Sequence, residues 1–160
     1  MLSKEQSAAL YKVHGFLNAF EYVNGKENHS YLFEIFATPK KPDLNEAVQE
    51  VFAKWKPSRI NLESASDWPQ LLQDRVDRWL LAYLKDSHHL IDRGRHFTLS
   101  SDSGPKKMVQ HLIVKLEEIS PINQAYTVGL EAADFRACAH DDILLVCDDV
   151  LLFLHFEVCD

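Results

Sequence analysis

The stretch that decides the fold runs His140-Asp141-Asp142-Ile143-Leu144-Leu145-Val146-Cys147, then Asp148-Asp149, then Val150-Leu151-Leu152-Phe153-Leu154-His155-Phe156-Glu157-Val158. Two runs rich in apolar, β-branched and aromatic residues flank a pair of aspartates, which reads as two strands joined by a turn. Ile143 to Val146 is apolar at every position, not at alternate ones. A strand of that kind belongs inside a sheet with a covering layer on each face. The rest of the chain must supply the neighbouring strands and both layers.

Helical spacing dominates what comes before. Met108, Val109, Leu112, Ile113, Leu116 and Ile119 fit one face of a helix, although His111 to Leu116 also suits a strand. The length of the run and the Ser103-Gly104-Pro105 start favour the helix. Asp67 can cap a helix with Pro69 in its first turn, and Leu72, Val76, Trp79, Leu80, Tyr83 and Leu84 form a wide core-facing stripe. Leu44, Val48, Val51, Phe52 and Trp55 describe another helix, closed by Pro57. Ser3 with Gln6 predicts a capping box, followed by Leu10, Val13, Leu17 and Phe20 and a stop near Asn24-Gly25. Strands are expected at Tyr31 to Phe36, Arg59 to Leu62, Arg95 to Leu99 and Tyr126 to Val128. The expected class is α+β: a single domain over residues 1–160, with several helices packed on a mainly antiparallel sheet that a C-terminal hairpin completes. Residues 1–120 read as helix-rich and 121–160 as strand-rich and acidic. A length of 160 residues suits one core, and only 5 Gly and 6 Pro leave no room for a flexible linker or low complexity.

Charge is distributed unevenly. Residues 131–160 hold eight of the 24 acids, namely Glu131, Asp134, Asp141, Asp142, Asp148, Asp149, Glu157 and Asp160, against Arg136 as their one base. That segment therefore carries the whole net charge of −7, and the first 130 residues are neutral. A nonspecific nucleic-acid binder is basic, so direct nucleic-acid binding is not expected. The short N-terminal stretch Met1-Leu2-Ser3-Lys4-Glu5-Gln6-Ser7 lacks the pattern of a secretory signal, and Val150 to Phe156 is far below the ~20 apolar residues of a membrane helix. Cys138, Cys147 and Cys159 form no C-x-x-C and cannot all pair with one another, which fits reduced thiols in a cytoplasmic protein.

The residue types offer three catalytic arrangements. Asp141-Asp142 and Asp148-Asp149 flank one strand, and with His140 they offer ligand types for a small metal-dependent hydrolase. Adjacent strand residues point to opposite faces, however, so each pair can give only one ligand to a given site. His88, His89, His96 and His155 lack zinc-ligand spacing, and His155, among apolar neighbours, reads as satisfied at a sheet face. Cys138 near His140 and Asp141 superficially matches a thiol–imidazole–carboxylate set, but nearby acids disfavour a thiolate. No phosphate-loop, dinucleotide-binding or nucleophile-elbow pattern is present. The expectation is a non-enzymatic protein with no cofactor and no metal. A non-catalytic subunit or adaptor, pairing edge-to-edge through its C-terminal strand, is a further alternative.

Small size, acidity, helices followed by strands, and the closing stretch from His140 to Asp149 are similar to bacterial immunity proteins of contact-dependent growth inhibition and related polymorphic toxin systems. That resemblance implies binding to one cognate protein toxin domain in the cytosol, commonly a nuclease, with inhibition by occlusion and no catalysis. The charge pattern independently predicts the partner-binding set as Asp134, Asp141, Asp142, Asp148, Asp149, Glu157 and Asp160. These acids are expected to form one continuous outward patch facing a basic toxin surface.

Overall fold

The computed structural model describes residues 2–25, 30–53, 56–80, 103–132 and 139–159. At its centre β4 (Ala139–Cys147) pairs with β5 (Val150–Cys159), and Asp148-Asp149 form the two-residue connection. β3 (Ile122–Ala132) lies on the other side of β4, β1 (Ser30–Pro39) beside β5, and β2 (Pro57–Ala65) beside β3. The five strands run in the order β1-β5-β4-β3-β2, with every neighbouring pair antiparallel. Every residue from Ile143 to Cys147 is buried, as a strand apolar on both faces requires. The C-terminal strand β5 lies between β1 and β4, so it offers no edge to another chain; among the described strands β1 and β2 are the outermost.

Alternation along β4 sends Ile143, Leu145 and Cys147 to one face and Leu144 and Val146 to the other. The first face packs on three helices: α1 (Lys4–Asn24), α3 (Trp68–Leu80) and α4 (Ser103–Glu117). Val13 and Leu17, then Leu72, Val76 and Trp79, then Val109, Leu112 and Leu116 meet Phe33, Ile35, Leu145, Leu152, Leu154 and Phe156 there. The second face carries α2 (Leu44–Val51), whose Ala47 and Val48 join Phe52 against Val128, Leu144, Val146, Leu151 and Phe153. Each fully buried Leu or Phe contributes roughly 1.5–3 kcal/mol relative to its exposed state. Both layers together therefore hold the hairpin in one position.

Local chemistry places the helices. Ser3 Oγ accepts from the Gln6 amide at 3.1 Å while Gln6 Oε1 accepts from the Ser3 amide at 2.9 Å, the expected capping box. Asp67 Oδ1 accepts from the Gln70 amide at 3.0 Å and starts α3. Along 108–119 the helix prevails: Val109, Leu112, Ile113 and Leu116 are buried, whereas Val114 is 47% exposed, a period near 3.6 and not 2. α2 ends at Val51, short of the expected Trp55, because the chain turns sharply into β2. Lys56 takes a left-handed φ of 47° directly before Pro57, a conformation a helix cannot contain. The expected strand at Arg95 to Leu99, together with Trp55, Tyr83, Leu84, His88, His89 and His96, lies outside the described residues. All described helices precede residue 120, but so do β1 and β2, so the chain divides less cleanly into helical and stranded parts than its pattern predicts.

Candidate functional site

The acids singled out in the sequence occupy two ends of the β4–β5 hairpin. Asp141 and Asp142 stand near the start of β4; Asp148 and Asp149 form the turn at its finish. Asp142 and Asp148 lie six positions apart along extended chain, about 20 Å. Asp134, Asp160 and Cys138 lie outside the described residues.

At the first end the carboxylates turn inward. Asp141 faces the three-helix layer, where Oδ2 accepts from Trp79 Nε1 at 2.7 Å and Oδ1 lies 3.7 Å from Arg75 Nη1. Its side chain is 12% exposed. Asp142 faces the α2 side and is itself buried. His155 stands directly opposite it across the strand pair, with Nδ1 2.7 Å from Asp142 Oδ1. Because a carboxylate only accepts, Nδ1 is the donor. The other ring nitrogen, Nε2, lies 3.1 Å from Glu157 Oε2, an ion-pair distance but off the line of a hydrogen bond. Phe52 closes over the imidazole, ring centroids 6.5 Å apart at 69°. Glu34 on β1 faces His155 from the other side of β5, and its buried Oε2 has no hydrogen-bond partner among the described residues. His140, exposed, pairs in register with Glu157.

These contacts correct the expectation of a continuous outward patch. Asp142 is a buried partner of His155, Glu157 bends toward the same ring, and Asp141 is held between Trp79 and Arg75. A cationic partner cannot reach Asp142 without opening the core. A lysine at position 142 would set a second positive or hydrogen-donating group against His155 in a dry pocket, so reversing this residue cannot leave the fold intact.

The far end differs. Asp148 and Asp149 are both exposed. Asp148 Oδ1 accepts from Asn123 Nδ2 at 2.7 Å, and the Asp149 carbonyl accepts from the Lys40 amide at 3.2 Å, which ties the turn to the end of β1. Lys40 Nζ donates to the Cys147 carbonyl at 3.0 Å. Lys41 ion-pairs with Glu46 and Glu50 of α2, and Asp43 caps that helix by accepting from the Asn45 and Glu46 amides. The segment joined to the turn through Lys40 thus adds three exposed acids, Asp43, Glu46 and Glu50, that the charge tally of the tail does not reveal. Both cations there already hold partners, so five carboxylates outnumber two lysines at this end.

Cys147, at the end of β4, is buried. Burial pushes the Cys147 thiol up to about 11, reinforced by the neighbouring Asp148 and only partly offset by a hydrogen bond with Ser120. Cys147 therefore remains a thiol at neutral pH. Among the described residues no group of three or more His, Cys, Asp or Glu side chains is arranged to hold a metal ion. No described helix is long and apolar enough to cross a membrane.

No family model and no curated protein matches the sequence. The structure is similar to a crystal structure of citrus MAF1, with a TM-score of 0.52 at 9% sequence identity, over 94% of this chain and 98% of that one. At such identity the likeness concerns the fold alone.

Proposed function

We propose that this protein is an immunity-type inhibitor of a cytosol-acting toxin, most simply a basic nuclease, whose cationic substrate cleft it covers with the acidic end of the sheet. The observation that carries the reading is the exposed Asp148-Asp149 turn, mounted on a hairpin whose residues 142–147 and 150–156 are buried. A rigid mount means that little ordering entropy is lost on binding. Opposite charge accelerates the encounter, toward ~10⁸–10⁹ M⁻¹s⁻¹ at low salt for well-steered pairs. A nuclease must hold phosphates and so presents the matching positive surface. Asp43, Glu46 and Glu50 widen the negative field beside the turn. Asp141, Asp142 and Glu157 act indirectly, by fixing the hairpin against both layers.

The experiment is co-expression with candidate toxin domains, basic nuclease domains first. The wild-type chain is expected to restore growth, and a D148K/D149K variant, folded by circular dichroism, is expected to lose protection. Equal protection by that variant would remove the acidic turn from recognition.

A further inference from the structure

We infer that the protein forms a two-fold symmetric dimer through antiparallel pairing of β2 with β2 of a second copy, centred on Asn61. Among the described residues β2 is the last strand on its side of the sheet, and only β3 pairs with it. No described strand takes up the backbone groups on its outer side, and an outermost strand presents such groups to another chain. In antiparallel pairing about Asn61, residues equally far before and after the centre meet. Ser58-Arg59-Ile60-Asn61-Leu62-Glu63-Ser64 is complementary to itself under that operation. Ser58 meets Ser64 of the second copy, Arg59 meets Glu63, and Ile60 meets Leu62.

The two faces keep their chemistry. Ile60 and Leu62 lie on the α2 side, packed beside Val128 and the rest of that core, and the pairing would extend this apolar surface across the boundary. Arg59, Asn61 and Glu63 alternate to the opposite side. Arg59 is 73% exposed and lies 3.7 Å from Glu131 of β3, a solvent-exposed pair that holds it weakly and that Glu63 of the second copy can replace. Glu63 is exposed and accepts from Asn61 Nδ2 at 3.3 Å. A two-fold axis perpendicular to the sheet keeps the helical layers of both copies on one side and makes the contact isologous, so every pair occurs twice.

Charged residues usually protect an edge, because like charges meet when two copies approach. Here opposite signs at equal offsets from Asn61 convert the protection into attraction. The other edge strand, β1, carries a single charge, Glu34, between Ser30 and Pro39, and no centre of symmetry gives it an opposite partner. The dimer therefore belongs to β2. It is independent of the inhibitor reading, which concerns the Asp148-Asp149 end.

Sedimentation equilibrium of the full chain tests it. The wild-type mass is expected to rise with concentration toward that of two chains and to fall back as salt screens the Arg59–Glu63 pairs. The R59E and E63R variants should each remain single, their dimer Kd raised at least about tenfold, because like charges then stand opposite each other at two places. E63R is the cleaner of the two, since Glu63 makes no contact with Glu131. Mixed in equal amounts, R59E and E63R should associate with each other, and the R59E/E63R double variant should again self-associate. A wild-type chain that stays single up to about 1 mM, or single variants that associate as strongly as wild type, overturns the inference. So does a single chain that takes up an added extended peptide along β2, since the edge would then have a different occupant.

Discussion

The dipeptide Asp-Asp occurs at both ends of the β4–β5 hairpin and has opposite fates there. Asp141-Asp142 lies in a strand that is covered on both faces. Consecutive side chains diverge, and each meets a packed layer, Trp79 and Arg75 on one side and His155 on the other. Asp148-Asp149 lies where the chain reverses, beyond the reach of either layer, and both carboxylates stay in water. Identical residues become frame in one place and surface in the other, according to whether the strand at that point is covered by the packed layers. A net charge summed along a segment describes the field around a protein only after the inward carboxylates have been set aside.

Substitutions sharpen this contrast in a definite order. D142A is expected to cost the most, about 3–5 kcal/mol in urea unfolding, because it leaves His155 buried without its nearest acceptor. A loss under 1 kcal/mol would mean that the pocket admits water. D141A should cost about 1–2 kcal/mol, from the Trp79 indole hydrogen bond, and should alter tryptophan emission as the ring loses its polar contact. Unchanged emission and stability would place Asp141 with the surface acids. D148A and D149A should each change stability by no more than about 0.5 kcal/mol, even though Asp148 gives up its bond to Asn123. A larger loss at either position would dissolve the distinction between the two ends.

Much of this is legible in the sequence. The hairpin, the capping box at Ser3, the Asp67 cap and the stripe from Val109 to Leu116 are local signals, and local signals survive folding. The Asp142–His155 pair was legible in principle: a two-residue turn at Asp148-Asp149 makes positions equidistant from it face each other, and 142 and 155 are such positions. Strand order was not legible, since β1 reaches β5 across more than a hundred residues and nothing near Tyr31 encodes its partner. The same distance hid the partners of Asp141, which come from α3, and the acids Asp43, Glu46 and Glu50, which reach the turn only through the Lys40–Asp149 contact. The α+β class followed from short-range patterns; the position of the exposed charge depended on long-range ones.

The most direct test is the association rate constant between the purified protein and its toxin domain at low ionic strength, measured by stopped flow for wild type and for D148K/D149K. The rate for the variant is expected to be at least about tenfold slower, with the gap closing as salt is added. Equal rates at low salt would contradict that expectation.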